Sequence, residues 1–258
     1  MDKYTAHRAL KNTLLIMAAM CLCACSEHSQ TSPHPQPSHA VASQDSVLAY
    51  RVNPSVQRIQ MFWKDAHNRS YRTLSGLSQQ HPLAFAMNGG MFDANFAPKG
   101  LYIERGIEVK SLDVGSGEGN FYLPPNGVFY IKKDNRAGIV STQEYQNQSP
   151  NLAKEIEYAT QSGPMLVHQF AINPLFDPQS RNLNIRNGVG IFPNGELLFL
   201  ISKQPINFHA FAQSFLDAGC VAALYLDGFV SQVYWPAVAD FPNEQTFGVM
   251  IGVLNQKE

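Results

Sequence analysis

The 258-residue sequence is short of cysteine, of charge and of long apolar runs, and each shortage excludes a class of protein. Four cysteines cannot build a disulfide framework in a chain of this length, and Cys21, Cys23 and Cys25 crowd one N-terminal stretch. That leaves Cys220, inside the apolar run Gly219-Cys220-Val221-Ala222-Ala223-Leu224, where a thiol reads as buried and inert. Charged residues make up only 15% of the chain and the formal net charge is -1, with no basic stripe, so nucleic acid is not expected as a partner. No apolar run reaches the roughly 20 residues that cross a bilayer. There is no internal repeat, no Cys/His metal signature and no phosphate-cradling glycine loop, so no cofactor is expected, while a metal requirement stays open. His168 and His209 lack a second ligand at metal spacing and read as structural.

The N-terminus carries Lys3, Arg8 and Lys11 ahead of the apolar run Leu14 to Met20, the order of a secretory signal. The run ends in Leu22-Cys23-Ala24-Cys25, which resembles the lipobox of bacterial lipoproteins. That resemblance implies cleavage after residue 24 and a lipid on Cys25, the membrane being reached through that anchor alone. Ser26 after the cysteine leans toward a periplasm-facing protein of the outer membrane. Residues 25–45 are rich in Ser, Pro, His and Gln without an apolar period, so they read as a flexible tether. Without Asp2, Lys3, Arg8 and Lys11 the formal charge becomes -3. Residues 46–258 are then long enough for one substantial core.

In that domain the strand signals dominate. Short apolar runs at 47–52, 56–63, 83–87, 119–123, 127–132, 137–141, 188–192, 196–202, 222–226, 230–235 and 247–254 read as strands, with a hairpin over 101–110 turning at Arg105-Gly106. Helices are expected over 71–80, briefly over 152–159, and over 207–218. In the last of these, Phe208, Phe211, Ala212, Phe215 and Leu216 fall on one face between an Asn207 cap and Gly219. Many strands without a regular strand-helix alternation predict a single α+β domain with a mixed, largely antiparallel sheet system.

Each of four clusters joins a strand end to glycine and a polar side chain. They are Asn88-Gly89-Gly90-Met91-Phe92-Asp93, Ser162-Gly163-Pro164, Arg186-Asn187-Gly188-Val189-Gly190, and Leu226-Asp227-Gly228-Phe229-Val230-Ser231. Singly, each is also an everyday turn signal. In this order they resemble the phosphodiester glycosidase family, uncovering-enzyme-like proteins known for removing N-acetylglucosamine from a phosphodiester on mannose. Pro98 to Leu101, Asn120-Phe121, Pro125 to Phe129 and Asn207-Phe208 extend the resemblance across about 48–254. Phe229 departs from the small residue that commonly follows the Asp-Gly pair, and a ring there would either narrow the pocket or point into the core.

The resemblance implies an envelope hydrolase that cleaves the glycosidic bond of a sugar-phosphodiester or related cell-envelope glycan. A non-catalytic glycan-binding lipoprotein is the alternative. Such a reaction passes through an oxocarbenium-like state with phosphate departing, so a carboxylate near the anomeric carbon and a cation on the phosphate are the useful groups. Asp227 is the first carboxylate and Asp93 its candidate second, with Arg186 on the phosphate because its planar fork binds two oxygens. Asn88, Ser162 and Ser231 would orient the substrate, and Gly89, Gly90, Gly163 and Gly228 would admit it and offer N–H groups to an oxyanion. Lys99 and Glu104 are weaker candidates.

Overall fold

The computed structural model describes residues 47–227, 230–238 and 245–255. The signal segment, Cys25 and its tether, and Gly228 and Phe229 lie outside the described residues.

Strand-forming sequence organises into three antiparallel sheets. In the six-stranded sheet the order is Val47–Val52, Leu197–Ser202, Asn187–Ile191, Ala222–Tyr225, Met165–His168 and Ala171–Ile172. The four-stranded sheet runs Val233–Tyr234, Leu83–Asn88, Met250–Leu254 and Ile59–Phe62. The five-stranded sheet runs Ile107–Lys110, Tyr102–Glu104, Ile156–Ser162, Gly127–Lys132 and Ala137–Ser141. This is the single α+β domain, antiparallel in every named pairing.

Burial on both faces explains the continuous apolar strand Leu197–Ser202. Its odd positions, Leu197, Phe199 and Ile201, enter the main core, and Leu198 and Leu200 enter a second cluster beneath the helix Phe208–Asp217. Phe199 ties the sheets together: its ring lies 5.5 Å from Phe85 of the four-stranded sheet and 6.3 Å from Phe129 of the five-stranded sheet. Burying one such ring stabilises by about 1.5–3 kcal/mol, so this contact is a large fraction of a marginal total. The helix follows the expected face, with Asn207 Oδ1 accepting from Ala210 N–H and Phe211, Ala212 and Phe215 buried.

Two expectations fail for local reasons. Residues 119–123 are not a strand, because Asn120–Tyr122 forms a single 3-10 turn. The expected helix at 152–159 is split: the long helix Thr142–Glu155 ends at residue 155, and Ile156–Ser162 is the central strand of its sheet. A capping box opens that helix, with Ser141 Oγ accepting from Glu144 N–H at 3.1 Å and Glu144 Oε2 accepting from Ser141 N–H at 2.7 Å. The helix is polar, contains Pro150 and, among the described residues, buries only Thr142, Tyr145 and Leu152, so its apolar period is faint. Among the described residues no helix is long and apolar enough to cross a membrane.

Cys220 is fully buried, as expected, and burial pushes its thiol up to about 12. Iodoacetamide at pH 8 should therefore leave Cys220 unmodified in the native protein and alkylate it completely in denaturant, as read by peptide mass spectrometry. Rapid native labelling would contradict this packing.

Candidate functional site

The ends of strands from all three sheets meet at one place, and a chain of buried amides and hydroxyls joins them. Asn187, at the start of its strand in the six-stranded sheet, donates from Nδ2 to the Asn88 carbonyl at 3.0 Å and to Asn88 Oδ1 at 2.9 Å. Its Oδ1 accepts from the Asp227 N–H at 2.9 Å. Asn88, the last residue of its strand in the four-stranded sheet, also accepts on Oδ1 from the Gln232 N–H at 2.9 Å. Ser162 closes the central strand of the five-stranded sheet and donates to the Leu226 carbonyl at 2.7 Å. Ser231 Oγ donates to the Asp227 carbonyl at 2.6 Å. Asp227 is thus held by its own N–H and C=O, so the position of its carboxylate is inherited from the interior.

Asn88 is 1% exposed, and with its Oδ1 facing two N–H donors the orientation of the amide is fixed. Its Nδ2 is the one buried side-chain polar atom without a partner among the described residues. An orphan donor of this kind costs roughly 1–3 kcal/mol, a cost found most often where function requires it.

Arg186 is not where the sequence placed it. Adjacent residues on a strand leave opposite faces, and Asn187 takes the face toward Asn88. Arg186 therefore enters the helix-covered side, 0% exposed, with its guanidinium 3.7 Å over the Phe208 ring. Nε donates to the Ile206 carbonyl at 2.7 Å, Nη2 to the Asn182 carbonyl at 2.9 Å and Nη1 to the Tyr225 hydroxyl at 3.3 Å. Burial lowers its pKa, but an arginine keeps its charge under such pressure. A guanidinium enclosed by carbonyls and rings is a structural cation and not one presented to a phosphate.

The glycines expected to admit a ligand instead make room for neighbouring side chains. A Cβ on Gly89 would lie 2.9 Å from Val249 Cγ1, one on Gly90 would lie 2.2 Å from Thr160 Oγ1, and one on Gly163 would lie 2.7 Å from Asn126 Cβ. The Gly89 N–H is also engaged by the Val249 carbonyl at 2.8 Å, so it is not turned to an oxyanion. Gly228 lies outside the described residues.

The open space lies above this scaffold. Asp227 lines a cavity of about 500 Å³ together with Phe92, Lys99, Glu118, Asn120 and Phe121. Phe92 and Phe96 stack at 5.4 Å along its wall, and the Phe96 carbonyl is held by Trp63 Nε1 at 2.8 Å. Lys99 brings an ammonium 5.0 Å from the Phe121 ring, and no carboxylate pairs with it among the described residues. Glu118 is the second carboxylate of this cavity. Asp93 is not: it lines an adjoining cavity, and its Oδ1 caps a turn by accepting from Asn95 N–H at 2.8 Å and Ala97 N–H at 3.1 Å. The paired carboxylates Asp227 and Asp93 are thereby separated. Glu104, half-buried at the end of its strand, accepts from the Tyr102 hydroxyl at 3.0 Å, and burial raises its pKa. No cluster of three or more His, Cys, Asp or Glu side chains is grouped to hold a metal ion among the described residues.

Of the residues the sequence singled out, Asp227 and the weaker candidate Lys99 line this cavity, and Glu118, not singled out, lines it too. Asn187 stands beside Arg186 in one of the four clusters, and only the strand face distinguishes them. Glu118 sits in the Gly-Ser-Gly-Glu-Gly stretch 115–119, which carries no signal of its own.

The sequence profile of the phosphodiester glycosidase family matches residues 81–254. The uncharacterized protein YigE of Escherichia coli (strain K12) is 40% identical over 230 residues, 84% of this chain and 88% of that protein. Among solved structures, the catalytic domain of zebrafish N-acetylglucosamine-1-phosphodiester alpha-N-acetylglucosaminidase, auto-inhibited by its pro-peptide, is similar in fold. The TM-score is 0.59 at 16% identity, covering 81% of this chain and 77% of that one. A putative exported protein from Burkholderia pseudomallei K96243 gives a TM-score of 0.55 at 12% identity, covering 81% and 74%.

Two substitutions test the division between scaffold and cavity. Asn187→Ala should destabilise by about 3 kcal/mol in denaturant melts, because it orphans several buried groups at once. Arg186→Met should lower the melting temperature while the folded protein keeps its affinity for phosphate. Loss of phosphate affinity at an unchanged melting temperature would return Arg186 to the site.

Proposed function

This chain belongs to the phosphodiester glycosidase family, and we propose that it is an envelope hydrolase cleaving the glycosidic bond of a sugar-phosphodiester in the cavity above Asp227. The observation that carries the reading is that residues of opposite charge line that cavity. Asp227, its backbone N–H and C=O held by Asn187 and Ser231, lines the same space as Lys99.

In this reading the sugar ring lies against the Phe92–Phe96 wall, with its anomeric carbon toward Asp227. The carbon–oxygen bond to phosphate breaks with its electron pair passing to the phosphate. A water oxygen takes its place on the anomeric carbon and its proton goes to solvent or to a carboxylate. Asp227 stabilises the positive charge that develops on the sugar, and Lys99 neutralises the phosphate as it departs, each a fixed charge placed where charge appears. A lysine suits this task as a point charge. Because phosphate leaves readily, strong protonation of the leaving oxygen is unnecessary, and Glu118 is available to activate water or to assist Asp227. In sequence order the site therefore consists of Lys99, Glu118 and Asp227, supported from below by Asn88, Ser162, Asn187 and Ser231.

Asp227→Asn and Lys99→Ala should each lower kcat/KM for release of sugar from α-sugar-1-phosphodiesters by at least about 100-fold, the usual range for one positioned charge. The melting temperature should move little. Full turnover by Asp227→Asn would remove Asp227 from its role.

The N-terminus supports a location for this activity. Leu22-Cys23-Ala24-Cys25 supports export and lipidation, which would tether the hydrolase at the outer membrane, facing the periplasm. Metabolic labelling with palmitate should mark the wild type and not Cys25→Ala, and the variant should leave the membrane fraction. An unlabelled, freely soluble wild type would refute the anchor.

A further inference from the structure

Beside the Asp227 cavity lies a second of about 650 Å³, lined by Asp93, Lys110, Ser111, Asp113 and Tyr122. Two residues, Phe92 and Lys99, belong to both. Lys99 sits on the seam: its ammonium is 5.0 Å from the ring of Phe121, which lines the first cavity, and 4.5 Å from the ring of Tyr122, which lines the second. Those two rings stand edge to face at 5.0 Å, so they diverge around the cation.

The far wall is fixed. Gln161, fully buried in the five-stranded sheet, accepts on Oε1 from the Leu101 N–H at 3.0 Å and the Asp113 N–H at 2.9 Å, and donates from Nε2 to the Asp113 carbonyl at 2.7 Å. Asp113 in turn accepts from the Tyr122 hydroxyl at 3.0 Å and the Gly115 N–H at 2.8 Å. Gly100, with φ +74°, runs so close to this clamp that a Cβ would lie 2.3 Å from Gln161 Oε1. The cavity is built into the fold and does not wait for a ligand to form it.

A phosphodiester has one anionic centre and two arms. From these observations, and resting on the hydrolase reading above, we propose that the second cavity binds the arm opposite the sugar. The phosphate lies at Lys99, and a hydroxyl-bearing alcohol such as a polyol or second sugar occupies the space bounded by Lys110, Ser111 and Tyr122. The wall charges argue for that chemistry: Lys99 and Lys110 are balanced by Asp93 and Asp113, which suits hydroxyls better than a second anionic group or an apolar chain. The enzyme is then selective for diesters over sugar 1-phosphates, because only a diester fills both sides of the seam.

The test uses the full chain and a probe for the detached arm, glycerol 3-phosphate, whose binding needs no turnover. Calorimetric titration should detect binding to the wild type, weakened about tenfold or more by Ser111→Trp, which plugs the second cavity from an exposed position, and to a smaller extent by Lys110→Ala. In kinetics, Ser111→Trp should raise KM for the glyceryl diester of an α-sugar 1-phosphate about tenfold more than for the methyl diester. Wild-type levels of glycerol 3-phosphate binding in both variants, with the glyceryl-to-methyl ratio unchanged, would overturn the assignment. Binding that responds to the plug in a protein that turns over neither diester would retain the second cavity and remove the hydrolase reading instead.

Discussion

One carboxamide governs the arrangement of this protein. The side chain of Asn187 gives its donor to the end of one strand and its acceptor to the residue that reaches the cavity, so the four-stranded and six-stranded sheets are registered against each other at a single planar group. Only an amide can do this, since a carboxylate would face the Asn88 carbonyl with a second acceptor and an apolar isostere would take the acceptor from the Asp227 N–H. The aromatic contact at Phe199 brings the three sheets together without direction. Asn187 supplies the direction, which packing alone cannot specify.

This arrangement divides the molecule into a joint and a rim. The glycines and short polar residues of the four clusters form the joint, where neighbouring atoms approach too closely for a Cβ and hydroxyls bond backbone carbonyls. The groups that face open space come from the segments between strands, at Phe92, Lys99, Glu118 and Asp227. The motifs that identify the family therefore describe how the cavity is held more than what it holds. A similar fold at low identity leaves the choice of substrate to the rim.

How much of this could be read from the sequence depends on whether the signal was local. The hairpin at Arg105-Gly106, the strand 127–132 and the helix 208–217 were legible, because turn chemistry, apolar runs and caps state them directly. The helix 142–155 was hidden by its polarity and its proline, although Ser141 and Glu144 spell a capping box. At the candidate site, order along the chain indicated clusters that the fold brings together, with Asp227 on the cavity beside them. It could not show that Arg186 and Asn187 leave opposite faces, nor that Asp93, the last residue of the first cluster, caps its own turn. Those are facts of orientation, and at a strand end no period exists to reveal them.

The clamp made by Gln161 carries a kinetic meaning. A binding wall anchored to the central strand of a sheet loses little freedom when a substrate arrives, so the ordering cost falls on folding instead of on each catalytic cycle. Nor does it impose a closing motion that could set the pace of turnover. In the proposed reading, substrate capture at such a wall would be governed by diffusion and by the shedding of water from Lys99 and its aromatic neighbours.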